Sequence, residues 1–423
     1  MSVVSGNPNG VAIIQPRVAA QPLPWEGYAE APTLKGLKRG LNGFSSRACR
    51  RISSVVLIKS MPLDFAQPVV RRAWLRQLLA PIDEAKWNDL ARELFAWQFA
   101  QVPAYRRLCL AHGVTPESMA SWRDIPAVPQ QLFKQTLLYA HGSAPPAAIY
   151  VTSGTTTGQP GRQHLLGTDI YRAVTVEGAR RAGLLAREVE LHFLTPSPAE
   201  ASYSSLSAMF GFWQKAFRQI FPRPRFWVRH GHFEFSRLRE TLTTQIKARR
   251  PVAICGTAFS FVHLIDAWAD LPPLRLPRGS WLLETGGFKG RSREISKTRL
   301  YSQLARTFTV RDTAIWNEYG MSELSSQAYA HGTHGLHHTP PWARVLVCDP
   351  ATGREVRVGK QGLVRWIDLA NTDSVLALQT LDVAERTPHG FRLIGRLPRT
   401  EPRGCSLSAD DLVAHGESSS PTP

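Results

Sequence analysis

The sequence predicts a layered α/β core with a smaller β-rich subdomain, and three observations predict the layering. Apolar runs of strand length alternate with amphipathic stretches of helical length across 146–335. Glycine-rich turns follow several of those runs, as at 152–158 and 284–290. Beyond Trp342 the texture changes to ARVLVCDP, EVRVGKQGLVRWIDL and FRLIG, where alternating and β-branched residues are separated by turns.

In order along the chain, residues 1–60 carry NPNG, PLPW and basic residues ending in Arg47, Arg50 and Arg51, without amphipathic period. They read as a disordered extension or an over-extended gene start before Met61. Residues 61–145 form a helical N-terminal part. Within it, Trp87, Leu90, Leu94, Phe95 and Phe99 fall near helical spacing between Pro81 and Gly113, predicting one or two core helices over 83–111. TPESMASWRDIPAVP then reads as a capped turn and loop, and 130–139 as a further helix.

The core begins with a short buried strand at 147–151. Further strands are expected at 190–194, 226–228, 252–255 and 281–283, and helices at 169–185, 209–217, 235–248 and 295–307. The β-rich subdomain occupies 336–398, and a short tail over 399–423 ends in GESSSPTP.

Composition excludes several functions. With 423 residues, 43% hydrophobic and 20% charged, the chain exceeds one typical domain and suits a globular enzyme. Its formal charge of +18 would suit a polyanion. Yet the basic residues are mostly scattered arginines, and zinc-finger, RNP-type and compact basic-helix patterns are lacking, so no nucleic-acid partner is expected. Five cysteines, Cys49, Cys109, Cys255, Cys348 and Cys405, form no CxxC pair, which fits a reducing cytoplasm. No stretch approaches the roughly 20 apolar residues of a membrane span.

The chemistry concentrates in separated segments. Thr152, Ser153, Gly154, Thr155, Thr156, Thr157 and Gly158 follow a strand and offer hydroxyls on a backbone free to wrap a polyanion. Alone, such a stretch is as compatible with a solvent loop. The turn TGGFK at 285–289, WNEYGMSEL at 316–324, and LQTLDVA with LIGR over 378–396 share the theme. His331, His334, His337 and His338 form an HxxHxxHH cluster. No cysteine or carboxylate completes a metal set beside it, so it reads as a structural loop.

Taken together, in order and spacing, these segments resemble the adenylate-forming enzymes, which activate a carboxylic acid with ATP. The resemblance covers 61–407. It implies a phosphate loop at 152–158, although Pro160 is followed here by Gly161 and Arg162 rather than by the usual lysine. It implies nucleotide contacts from Gly286 and Gly287. It further implies that Tyr319 and Gly320 pack on adenine, Ser322 meets the α-phosphate, Glu323 takes Mg²⁺, and Asp382, two residues after Thr380, accepts the ribose hydroxyls with Arg396 as companion.

Typical members continue into a lid domain carrying a catalytic lysine, whereas 27 residues separate Arg396 from position 423. That lid is therefore expected to be missing. RGCSL at 403–407, with ETGGFKGR, HHTPPWARV and DLANTDS, resembles the LuxE-type acyl-protein synthetases, truncated relatives that pass a fatty acyl group to their own cysteine for delivery to a reductase. On that resemblance Cys405 is the acyl acceptor. Lys289, in the glycine turn TGGFK beside the expected nucleotide site, is the candidate for the cation of the absent lid, with Arg291 second.

The expectation is an ATP- and Mg²⁺-dependent ligase making a fatty acyl-adenylate and then a thioester on Cys405, with an acyl reductase or carrier as partner. Two alternatives stay open: a phenylacetate-type ligase using coenzyme A or a carrier thiol, and a silent adenylate-binding scaffold subunit.

Overall fold

The structure, a computed structural model, describes residues 63–152, 160–185, 188–217, 225–286 and 295–397. The expectations for the extension 1–60, for Ser153 to Gly158, for Gly287, Lys289 and Arg291, and for the tail with Cys405 lie outside the described residues.

Three helices come first: α1 (Pro68–Leu79), α2 (Glu84–Gln101) and α3 (Pro103–Ala111). Asp83 caps α2 by accepting from the Lys86 backbone N–H. Pro103 cannot donate into a continuing helix but suits a first turn, so the run over 83–111 is two helices meeting at Val102. The expected stripe is core: Trp87, Leu90, Leu94 and Phe95 are fully buried. Helix α1 was not anticipated. It carries an arginine pair on a short apolar pattern, and its buried face is Arg71, Trp74 and Leu78.

The helix expected over 130–139 is mostly absent. Strand β1 (Val128–Pro129) lies parallel to a C-terminal strand, Gln130 donates its backbone N–H to the Gln379 carbonyl, and only one helical turn, α4 (Leu132–Gln135), follows. Sheet hydrogen bonds from the preceding residues win over local helix propensity. Strands β2 (Ala148–Val151) and β3 (Arg162–Leu165) then make an antiparallel hairpin of their own. In β2 only Tyr150 is buried, against the fully buried strand expected, because a two-stranded ribbon has one covered face here.

The α/β alternation continues as α5 (Asp169–Ala182), β4 (Glu190–Leu194), α6 (Ser205–Ala216), the small hairpin β5 (Val228–Arg229) and β6 (His232–Phe233), α7 (Phe235–Lys247), β7 (Val252–Thr257), α8 (Ala258–Ala267), β8 (Trp281–Thr285), α9 (Lys297–Phe308), β9 (Ile315–Tyr319) and β10 (Ala328–His331). Helix α5 stops at Gly183, whose φ of 96° closes the left-handed C-cap. Helix α6 starts at Ser205 rather than Met209 because Ser204 accepts from the Ser207 N–H. Helix α8 was missed because AFSFVHLIDA is apolar nearly all round.

One sheet has the order β10-β9-β8-β7-β4, parallel except for β10. Its period-two alternation sends Leu194, Ile254, Leu282 and Ile315 toward α7, α8 and α9, and Phe193, Cys255 and Leu283 toward α5 and α6. Both faces are covered, which is why β4 and β8 are buried throughout.

The remaining strands, β11 (Ala343–Cys348), β12 (Gln361–Asp368), β13 (Ala377–Thr387) and β14 (Gly390–Arg396), form a second sheet in the order β1-β13-β12-β11, with β14 on β13. The β-rich segment and the N-terminal helices bury one another: Trp74, Trp87, Phe95, Trp342, Trp366 and Leu378 belong to one cluster. Among the described residues, no helix is long and apolar enough to cross a membrane.

Candidate active site

The hydroxyl loop leaves and re-enters the fold through a closed neck. The Thr152 N–H donates to the Gly161 carbonyl at 2.9 Å, and the Gly161 N–H returns to Thr152 Oγ1 at 2.8 Å. Val151 is tied to the Tyr203 carbonyl just before α6. Thr152 thus spends an acceptor on the neck and keeps its O–H proton to donate. A Cβ at Gly161 would lie 3.4 Å from Phe133 Cβ and 3.2 Å from Thr152 Oγ1. That crowding accounts for a glycine behind Pro160, and Arg162 falls on β3 with an exposed side chain.

The carboxyl ends of β8 and β9 supply the next groups. Strand β8 runs into Gly286, whose φ of 72° lets the chain turn sharply away. Strand β9 ends at Tyr319, followed by Gly320, Ser322 and Glu323. The Tyr319 hydroxyl donates to Asp382 Oδ2 at 2.8 Å. Asp382 in β13 stands opposite Arg396 in β14, whose Nη1 donates to Asp382 Oδ1 at 3.3 Å. Arg396 Nη2 reaches Gln130 Oε1 at 2.9 Å, and Gln130 Nε2 donates to Glu323 Oε1 at 3.1 Å. Four hydrogen bonds thus link five side chains in a row from Tyr319 to Glu323, whose positions are four apart in the sequence. Ser322 Oγ lies 3.2 Å from the hydroxyl of Ser205, the first residue of α6.

Four expected residues, Tyr319, Glu323, Asp382 and Arg396, therefore meet, and Ser322 sits beside them. Gln130 was not anticipated, because it sits in a segment that reads as helix and shows its role only once β1 docks on β13. One residue is placed differently from expectation. The Tyr319 ring, expected to offer a face to a base, is 7% exposed and packs on Trp366, His337 and Phe391. Thr380 is fully buried, donates to the Val364 carbonyl and accepts from the Asp382 N–H, so it holds the strand.

Behind Tyr319 lies a buried polar cluster that the sequence did not reveal. Burial pushes the Glu284 carboxyl up to about 7, even though Tyr301 and Asn317 donate to it at 3.1 and 2.6 Å. Burial likewise lifts Glu318 to about 7, against a hydrogen bond from the Thr285 hydroxyl and with added repulsion from Glu284. His337 Nε2 lies 2.5 Å from Asn317 Oδ1, and burial together with the nearby Lys297 charge drives its pKa down to about 3. Neutral His337 with Nε2 as donor satisfies the asparagine. His331, His334 and His338 are exposed, so the histidine run does not converge.

The donors beside the phosphate loop are oxygens. Glu323, with a hydroxyl from Ser322, fits Mg²⁺, which takes one or two carboxylates and fills its octahedron with phosphate oxygens and water. Glu323 is 2% exposed, so its position is held by the fold. A helix amino end beside Ser322 favours an anion there.

Two sheets of this kind, with this constellation between them, make a fold of the adenylate-forming class. The structural comparisons agree: 2-hydroxyisobutyryl-CoA ligase, in an open conformation in complex with 2-HIB-AMP and CoA, superposes with a TM-score of 0.56 at 18% identity, over 76% of this chain and 77% of that one. The same ligase in its postadenylation state with 2-HIB-AMP gives 0.55 at 17% identity, over 74% and 68%. The chain belongs to the LuxE acyl-protein synthetase family, whose model matches residues 86–413. It is thereby an enzyme of the ligase class. It is also 21% identical to the long-chain-fatty-acid–luciferin-component ligase of Aliivibrio fischeri, over 77% of this chain and 88% of that protein.

Proposed function

We propose that this ligase activates a fatty acid with ATP and Mg²⁺ to an acyl-adenylate and then transfers the acyl group to its own Cys405. Activation of an acid is the family's chemistry; the fatty substrate, the metal and the cysteine are the finer reading. The observation that carries it is the row of hydrogen bonds from Tyr319 through Asp382, Arg396 and Gln130 to Glu323. It supports the reading because Asp382, the proposed diol acceptor, and Glu323, the proposed metal ligand, are linked through only two side chains.

In this reading Asp382 accepts from the ribose hydroxyls while Arg396 and Tyr319 hold its carboxylate in orientation. Ser322 donates to the α-phosphate. Mg²⁺ held by Glu323 would offset charge on the phosphates. An oxygen of the substrate carboxylate attacks the α-phosphorus, the new P–O bond forms, and pyrophosphate leaves with the electrons of the broken bond. The Cys405 thiolate then attacks the acyl carbon, and AMP departs as the thioester forms. RGCSL lies inside the span matched by the family, which supports Cys405 in that role. An acyl reductase or similar partner would collect the thioester.

ATP–pyrophosphate exchange across a panel of acids tests the first half. Long-chain acids are expected to drive exchange, and none doing so would defeat the activation reading. For the second half, Cys405→Ala should retain exchange yet lose the hydroxylamine-sensitive acyl-enzyme formed from labelled fatty acid. An acyl-enzyme surviving that substitution, or thioester formed only on added coenzyme A, would move the acceptor elsewhere.

A further inference from the structure

The segment DLANTDS, 368–374, supplies none of the side chains just assigned to the nucleotide or its metal, yet it is among the most buried stretches of the described residues. All seven residues are at most 2% exposed. Five of them, Asp368, Asn371, Thr372, Asp373 and Ser374, are polar. A loop of this kind is costly to bury and contributes little net stability over apolar packing of the same volume. What it supplies is geometry, so the places it holds are informative.

It holds two. Asp368 accepts from the Ser325 and Ser326 N–H groups at 3.0 and 2.8 Å and from the Ser326 hydroxyl at 2.7 Å, fixing the turn directly behind Glu323. Asp373 accepts from the Leu166 N–H at 3.0 Å and is itself held by Arg71 at 2.6 Å and His141 at 2.9 Å, fixing the far end of β3. Asn371 stands between and holds both at once. Its Nδ2 donates to the Glu323 carbonyl at 3.0 Å and to the Val375 carbonyl at 2.8 Å. Its Oδ1 accepts from Gln163 Nε2 at 2.8 Å, and Gln163 pairs with Tyr150 in the hairpin that carries the phosphate loop. Its own carbonyl accepts from Gln98 in α2.

We infer that Asn371 is a positioning residue that ties the β2–β3 hairpin, which ends at Thr152, to the backbone of the metal carboxylate, so that Glu323 and Thr152 keep a fixed separation across one bound Mg²⁺–nucleotide. This rests on the proposed role of Glu323 as the metal ligand. A primary amide suits the place, because both carbonyls need a donor and Gln163 needs an acceptor from one planar group, and glutamine would carry that amide one methylene too far. Aspartate has the shape but places an acceptor against the carbonyls of Glu323 and Val375. Displacements near 1 Å at such sites cost about 100-fold in activity, so the coupling is expected to show in the metal dependence rather than in folding alone.

The test is Asn371→Asp, read by binding of a fluorescent ATP analogue with Mg²⁺ and with EDTA, alongside thermal melting. Expected is a loss of at least about tenfold in the affinity gained on adding Mg²⁺, with the EDTA affinity within about twofold of wild type. In a Glu323→Gln background, where the gain is already gone, Asn371→Asp should change the ratio no further. A folded variant with an unchanged Mg²⁺ gain, or an equal loss in the Glu323→Gln background, overturns the inference. No gain in the wild type, or a full gain in Glu323→Gln, instead overturns the metal assignment and this inference with it. If Asn371→Asp does not fold, Gln163→Met removes only the Oδ1 partner and should lower the same ratio about threefold; an unchanged ratio there overturns the inference equally.

Discussion

The two sheets serve the site differently. The parallel sheet contributes where strands end: β8 hands over to Gly286, and β9 to the turn from Tyr319 to Glu323. The second sheet contributes from within strands, as Asp382 and Arg396 face each other across the β13–β14 ladder. In the first case the chemistry depends on what leaves the strand; in the second a register pair is built in. The buried groups differ accordingly. The parallel half keeps two carboxyls, Glu284 and Glu318, displaced upward by burial, whereas Asp382 is paired with Arg396 and Tyr319. Nucleoside capture should then belong to the antiparallel half and pH sensitivity to the parallel half.

The largest effect should come from breaking the register pair. Asp382→Ala leaves the buried Tyr319 hydroxyl without its acceptor and Arg396 without its carboxylate, at a cost of about 2–5 kcal/mol. ATP affinity is expected to fall about 100-fold in titration, with a melting temperature several degrees lower. Arg396→Gln should lose only about tenfold, since the arginine side chain is 54% exposed and water replaces part of its role. Equal losses from both, or none from Asp382→Ala, would break the distinction between the halves.

Next in size is the pH response of the parallel half. Glu284 and Glu318 hold their protons up to about pH 7 in the folded chain and release them near pH 4.5 when unfolded. Between those limits the native state binds more protons than the unfolded one, so stability falls as pH rises from about 4.5 to about 7. The combined loss is on the order of a few kcal/mol. Glu284→Gln and Glu318→Gln should each flatten the decline in denaturant midpoint between pH 5 and pH 8. A slope unchanged in both variants would show that the two carboxyls ionise normally in the folded protein.

Much of this arrangement was legible in the sequence, for physical reasons that also explain what was not. Strands β4, β7 and β8 announce themselves as short apolar runs because both faces are covered, and α7 and α9 by their one-sided patterns. Tyr319, Glu323, Asp382 and Arg396 stand in spaced motifs, and the fold brings them together. Gln130 carries no such mark, since its place follows from a two-residue strand docking 250 residues away in the chain. Asn371 stands in the quoted motif DLANTDS, yet its role was not legible there, because three of its side-chain and carbonyl partners, Gln98, Gln163 and Glu323, are distant in the chain. Local pattern reports periodicity and turn chemistry, and it is silent on which loop a buried amide will face.

The smallest effect tests whether the halves are coupled. Gln130 is the only described side chain whose hydrogen bonds reach both Arg396 and Glu323, 2.9 and 3.1 Å away. Gln130→Leu removes both hydrogen bonds without placing a charge. Solvent can take up the freed Arg396 group, whose side chain is 54% exposed, while the buried Glu323 carboxylate loses one neutral donor, and the net loss should be about 1 kcal/mol. That is about a fivefold drop in ATP affinity with little change in melting temperature. Gln130→Glu should discriminate further: its carboxylate strengthens the contact with Arg396 and repels Glu323, so nucleotide binding without metal should hold while the Mg²⁺ requirement rises. If Gln130→Leu cost as much as Asp382→Ala, the five side chains would act as one unit, and the separate contributions of the two sheets would not be separable by single substitutions.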